Sequence, residues 1–321
     1  MNNTTDRIYT SIISAFHKSR KTVWWLLKII LPISLAVSFL QFWGIITYIA
    51  HYLSPAFSII GLPGESAVVF ITSIFLPLYG SIAIISTLPL DLREITILAI
   101  MCLISHNLLV ETAIQKRTGS SAFIMFFLRL STSVAAAYLL NLLLPEHIGS
   151  YHTVQKSLEF GSVFDMLKNW LINTGWLSLK ISLIVTGLMI LQSILKEFKL
   201  LAIISKLFAP IMRIMGLSND SAFLWFVAQT LGLAYGSAIM IDEVENKEIT
   251  LANANLLNYH IAINHSLFED TLLFVVIGVP AGWIIAPRFI LAILVVWSVR
   301  AIMKFSTKRN NKKLLPIREI I

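Results

Sequence analysis

The sequence predicts an all-α polytopic membrane protein with an inverted-topology internal repeat. Its count is about six full transmembrane helices plus two re-entrant, broken helices. Three observations lead there: the composition, the apolar runs and a self-similarity between the two halves. Of 321 residues, 57% are hydrophobic and 13% charged, against about 25% charged and 45–50% apolar in a soluble domain. A soluble enzyme of this size would leave too much apolar surface in water. Cys102 is the only cysteine, which excludes a disulfide-stapled secreted domain and metal centres built on thiolates.

Taken in order, residues 1–22 form a cytoplasmic or interfacial segment. Arg7, Lys18, Arg20 and Lys21 precede an apolar stretch too long for a cleavable signal. Ile8, Tyr9, Ile12, Ile13 and Phe16 stand at helical spacing and predict a short interfacial helix. Long apolar runs then cover 23–50, 65–90, 95–114, 120–145, 176–195, 221–241, 250–268 and 283–303. Crossing a bilayer takes roughly 20 apolar residues as helix, and none of the runs alternates as a barrel strand would. Residues 146–162 are a polar linker, and 304–321 a basic cytoplasmic tail. That tail suits orientation or anionic lipid, not nucleic acid.

The two halves repeat. Gly61-Leu62-Pro63-Gly64-Glu65-Ser66-Ala67 aligns with Gly216-Leu217-Ser218-Asn219-Asp220-Ser221-Ala222. Tyr79-Gly80-Ser81 matches Tyr235-Gly236-Ser237, Leu109-Val110-Glu111 matches Leu267-Phe268-Glu269, and Arg129 falls opposite Arg288. The repeats are placed at 23–145 and 163–303. If 65–90 and 221–241 are re-entrant, eighteen Lys and Arg lie on the side of the termini and three on the other. That asymmetry favours an inverted arrangement with both termini cytoplasmic, in a bacterial cytoplasmic membrane. Pro77 and Gly80 in one run, and Gly232 and Gly236 in the other, give a reason to break; a plain kink in a spanning helix is the alternative.

These residues resemble the Gate, or nucleoside-recognition, domain of spore maturation proteins A and B, of the membrane part of ferrous-iron transport GTPases and of concentrative nucleoside transporters. The resemblance covers nearly the whole chain as two copies and implies inverted Gate repeats, often in a permease. It delivers no substrate. The iron transporters carry a cysteine in the gate, whereas 76–81 and 232–237 have none, and no phosphate loop is present.

Charges at bilayer depth are costly and are functional candidates by default. The candidate solute- or ion-binding residues are Tyr79, Gly80, Ser81, His106, Asn107, Glu111 and Arg129, with Tyr235, Gly236, Ser237, His265, Glu269 and Arg288 in the second copy. Unwound backbone and hydroxyls are expected at the two Tyr-Gly-Ser segments. His265 and Glu269, at i,i+4, share a helix face, as do Asn107 and Glu111. Such a face can ligate a divalent cation, relay protons or bond a solute; interhelical hydrogen bonding and pairing with the arginines is the equal alternative. Glu65 and Asp220 suit helix capping or solute contact, and Lys28 and Lys180 suit snorkelling to the interface.

The function this supports is a secondary transporter for a small polar or ionic solute, without a cofactor and not an enzyme, because no catalytic motif is present. The alternative is a non-transporting membrane factor of the spore-maturation type, acting through a protein partner. Expected partners are the solute and lipid, with a homo-oligomer or membrane partner left open.

Overall fold

The structure, a computed structural model, describes residues 4–146, 148 and 162–313, and is helical without strands among them. Seven helices occur in order: α1 (Thr4–Phe42), α2 (Ile45–Ser58), α3 (Ser66–Phe75), α4 (Leu78–Ile85), α5 (Leu92–Ser105), α6 (Leu108–Arg117) and α7 (Ala122–Leu143). Seven more follow in the same pattern: α8 (Val163–Glu197), α9 (Leu200–Ile214), α10 (Ala222–Leu231), α11 (Leu233–Glu245), α12 (Leu251–Ile263), α13 (Glu269–Val275) and α14 (Ala281–Lys313). The joints recur too. Left-handed residues stand at Gly44 and Lys199 (φ 73° and 53°), Gly61 and Gly216 (73° and 75°), Asn107 and Ser266 (48° and 49°), and Gly119 and Gly278 (both 96°). L residues rarely adopt that conformation, so four shared positions mark one backbone plan used twice.

The two first helices, α1 and α8, pack side by side and antiparallel. Arg7 Nε meets Glu197 Oε1 at 2.9 Å, the Ser193 hydroxyl donates to the Ser11 carbonyl, and the Trp170 indole donates to the Ser34 hydroxyl. Position numbers rise along one helix as they fall along the other. Corresponding helices that run in opposite directions make the halves inverted with respect to each other.

Five segments are long and apolar enough to cross a bilayer: Thr4–Phe42, Leu92–Arg117 (α5 and α6 together), Ala122–Leu143, Val163–Glu197 and Ala281–Phe305. The sixth expected span, 250–268, is divided, because α12 ends at Ile263 and α13 begins at Glu269. The expected short interfacial helix is instead the first part of α1, which is continuous for 39 residues. Lys18, Arg20 and Lys21 interrupt the apolar run without breaking the helix, because Lys and Arg are good helix formers. At 1.5 Å per residue α1 is about 58 Å long, well beyond a hydrocarbon core of about 30 Å. The span expected at 23–50 stops at Phe42, and α2 is a separate helix. Likewise α8 starts at Val163, directly after the linker and well before the apolar run at 176–195. The linker 146–162 lies outside the described residues except for 146, 148 and 162, as does the tail from 314.

Each copy buries its fifth helix. In α5, Ile97, Leu98, Ala99, Ile100, Cys102, Leu103 and Ile104 are wholly covered, and in α12 so are Leu257, Ile261, Ala262 and Ile263. A helix apolar all round is stable only when surrounded, and these two form the centres of two apolar cores. The broken helices pack beside them, α3 and α4 in one half, α10 and α11 in the other. Gly236 lets α11 pack closely on α10, since a Cβ there would lie 3.0 Å from the Ala228 Cβ and 3.1 Å from its Cα. At Gly80 the nearest atom would be 3.5 Å away. Gly236→Leu is therefore expected to cost about 2 kcal/mol through overpacking, whereas Gly80→Ala leaves stability unchanged or gains up to about 1 kcal/mol in helix propensity. Thermal unfolding in detergent decides it, and equal shifts at the two glycines would contradict this packing.

Candidate functional site

The site begins at two pairs of helix interruptions. Between α3 and α4 the chain is extended at Leu76 (φ −123°, ψ 159°) and Pro77 opens α4. Proline forces its predecessor out of helical geometry and suits the start of the next helix, so the break falls here. In the second copy Gly232 (φ 81°, ψ 170°) does the same between α10 and α11, in a region open to glycine alone. The expected unwinding at Tyr79-Gly80-Ser81 and Tyr235-Gly236-Ser237 is thus corrected. Both segments are helical, in the opening turns of α4 and α11, and the unwound backbone lies just before them.

A second break in each copy separates α5 from α6 at His106-Asn107, and α12 from α13 at 264–268. The breaks close each other's backbone. The Asn107 N–H donates to the carbonyls of Ser73 (2.7 Å) and Leu76 (3.2 Å), and the Ser266 N–H to that of Ala228 (3.0 Å). The Gln229 amide donates to the Asn264 carbonyl, and the Gln192 amide to that of Thr230. Interrupted backbone at bilayer depth needs such partners, because hydrocarbon supplies none.

Two fully buried arginines tie the ends of α5 and α12 in the same way. Arg129 Nε donates to the Ile104 carbonyl (2.7 Å) and Nη2 to that of His106 (2.9 Å). Arg288 Nε donates to the Ile263 carbonyl (3.3 Å) and Nη2 to that of His265 (2.6 Å). Carbonyls at a helix C-terminus have no intrahelical donor and carry the negative end of the dipole, so a cation settles both demands. Each arginine thereby fixes the backbone of a histidine.

The two histidines then face each other with ring centroids 5.2 Å apart. Each ring directs Nδ1 to the carbonyl four residues back, His106 to Cys102 (3.0 Å) and His265 to Ile261 (2.7 Å). Their Nε2 atoms meet the acids. His106 Nε2 lies 3.2 Å from Glu111 Oε1 and 3.7 Å from Asp270 Oδ2, and His265 Nε2 lies 3.3 Å from Glu111 Oε2. Glu111 Oε2 also pairs with Arg129 Nη2 at 2.8 Å. Tyr79 donates its hydroxyl to Glu269 Oε1 at 2.6 Å. Several of these contacts join one half to the other: His106 to Asp270, His265 to Glu111, and Tyr79 to Glu269.

Of the residues expected from sequence, His106, Glu111, Arg129, His265 and Arg288 converge here, with Tyr79 and Glu269 beside them. Asn107 contributes its backbone turn and its N–H. Ser81 and Ser237 are buried, Gly236 serves helix packing, and Gly80 lies in ordinary contact distance of its neighbours. Tyr235 is 45% exposed and lies against Lys196, whose Nζ is 3.9 Å from the ring centroid, so it stands apart from the centre. Lys28 and Lys180 are exposed on the outer face, and Glu65 makes no side-chain capping bond at the start of α3.

Sequence reasoning overlooked Asp270. The register of the arginines, the histidines and Gly119 with Gly278 places Glu111 opposite Asp270, one residue beyond the Glu269 that the Leu-x-Glu match selected. Had the alignment been anchored on Arg129 and Arg288, Asp270 would have been found. A polar seam also joins the end of α6 to α12, where the Asn258 amide donates to the hydroxyls of Thr118 and Ser120 (both 2.8 Å) and the Gln115 amide to the Asn258 carbonyl (3.1 Å).

A family model described as Gate, nucleoside recognition, matches residues 23–140. The chain is 29% identical over 285 residues to the uncharacterized membrane protein YvoD of Bacillus subtilis (strain 168), covering 87% of this chain and 90% of that protein. No solved structure matches. The two broken pairs, the apolar spans and these matches agree: the chain is a multi-pass membrane protein, and its residues 23–140 are similar to the Gate, or nucleoside-recognition, family.

Proposed function

We propose that the protein is a secondary transporter of a small polar or ionic solute, held where the broken helices of the two halves meet. It would work in the bacterial cytoplasmic membrane with both termini cytoplasmic, by movement of one repeat against the other and without chemical change to the solute. The observation that carries this reading is the meeting of four helix interruptions around His106, Glu111, His265 and Asp270, all buried. Paired broken helices in corresponding positions of inverted halves are how membrane carriers present polar groups at the midplane. Buried ionisable groups at that depth are retained at a cost, which a solute pathway accounts for. A small cavity lined by Ser38, Gln41, Ser86, Thr87, Asn169 and Asn173, between α1, α8 and the end of α4, adds polar surface between the halves.

The orientation follows the Lys and Arg asymmetry. Arg7 at the start of α1 pairs with Glu197 at the end of α8, on the side given the greater positive charge.

Uptake by proteoliposomes, across a panel of nucleosides, carboxylates, inorganic anions and divalent cations, with and without a proton gradient, tests the reading. One class of solute should accumulate above protein-free vesicles. Glu269→Gln, which removes the ionisable charge from the acceptor of the Tyr79 bond, and His265→Gln should each lower that uptake at least fivefold. Absence of uptake for the whole panel, or uptake unchanged in both variants, would overturn it and favour a membrane factor acting through a protein partner.

A further inference from the structure

The geometry points to a binding site for a divalent transition-metal cation between the two halves, formed by His106, His265 and Asp270 with Glu111 at its border. The ligating atoms of the first three all lie within 4.8 Å of one another, and all three residues are buried. Two ligands 2.1 Å from one tetrahedral ion stand about 3.4 Å apart. Shifts of up to about 0.7 Å in each side chain would therefore close the group on a metal.

The orientation of the rings supplies the main argument. A backbone carbonyl can only accept, so the Nδ1 contacts to Cys102 and Ile261 fix the proton on Nδ1 in both histidines. A neutral imidazole in that tautomer turns an unprotonated Nε2 toward the centre, where it meets carboxylate oxygens at 3.2, 3.3 and 3.7 Å. Lone pairs facing lone pairs repel unless a positive charge lies between them. A histidine that donates one nitrogen to a main-chain carbonyl and offers the other is the usual arrangement of a metal ligand. His265 Nε2 and Asp270 Oδ2 have no hydrogen-bond partner among the described residues.

Imidazole with carboxylate suits zinc, cobalt, manganese, iron or nickel over magnesium and calcium, which prefer all-oxygen shells. Arg129 already neutralises Glu111, and Arg288 adds a second positive charge nearby. The opposing charge weakens the site, which suits an ion that is taken up and released. Only the role as cargo rests on the transport reading; binding stands without it.

The test uses the full chain in lipid nanodiscs, titrated with Co²⁺ and followed by visible d–d absorption and electron paramagnetic resonance. One Co²⁺ per chain is expected, with an imidazole signature, displaced by Zn²⁺ but not by a hundredfold excess of Mg²⁺. His265→Gln and Asp270→Asn should each weaken binding at least tenfold, while His17→Gln, at an exposed position of α1, should not. Asp270→Asn keeps the size of the side chain, and its melting temperature verifies folding. Failure of the wild-type protein to bind Co²⁺, or binding that survives both variants, would overturn the site and assign the histidine–acid contacts to a shared proton. Uptake of another solute without Co²⁺ binding would sink the metal site and keep the transport reading. Co²⁺ binding with no uptake of any solute would do the reverse.

Discussion

Replacing Arg129 by methionine is expected to cost the fold about 3–5 kcal/mol, the penalty for stranding one partner of a buried ion pair. The guanidinium is wholly covered, so its loss leaves Glu111 without its 2.8 Å counter-charge and the Ile104 and His106 carbonyls without donors. Methionine keeps most of the volume, so a cavity is not the main cause. Arg288→Met removes the corresponding two carbonyl bonds, but Arg288 makes no ion pair among the described residues, and a loss of about 2–3 kcal/mol follows. Thermal unfolding in detergent, followed by tryptophan fluorescence, ranks the two. Equal stability of the two variants, or wild-type stability in Arg129→Met, would show that the Glu111 pairing does not hold the first half together.

The second large effect is expected at Gly64. A Cβ there would sit 2.1 Å from the carbonyl oxygen of Ala50 and 2.9 Å from its Cα. Both are backbone atoms of α2, so no side chain can swing aside, and α2 must move from the start of α3. Overpacking of this kind costs about 3 kcal/mol. Gly175, inside α8, has nothing within 4 Å of its Cβ position. Alanine there should raise stability by up to about 1 kcal/mol through helix propensity. Expression yield and melting temperature of Gly64→Ala beside Gly175→Ala measure the contrast. A Gly64→Ala protein as stable as the wild type would mean that α2 is free to yield.

Much of the architecture was legible because the repeat is carried by residues with strong local meaning. Gly61 and Gly216 share a left-handed turn, and Arg129 and Arg288 make the same two bonds. The positions of the breaks were harder to read. Glycine is tolerated inside a helix, so Gly80 and Gly236 looked like interruptions, though both are helical and Gly236 serves close packing. Pro77 marks a helix start as readily as a break, and Gly232 acts through its dihedral angles rather than its neighbours. Helices α2 and α9 were missed because each adjoins a long apolar helix, and only Gly44 and Lys199 turn the chain away from it. Asp270 was lost to a one-residue slip: side-chain likeness chose Glu269, while the backbone repeats on a slightly longer period. His106 facing His265 required two halves to be set against each other, which no local pattern contains.

The arginine clamps and the acid–histidine contacts divide differently between the halves. Arg129 holds only its own copy, and Arg288 only its own. The His106–Asp270, His265–Glu111 and Tyr79–Glu269 contacts span both. The halves are joined as well along α1 and α8 and through the Asn258 and Gln115 bonds. Sliding one half past the other therefore means undoing the histidine–acid contacts together with these further cross-stitches, while every arginine clamp stays fastened.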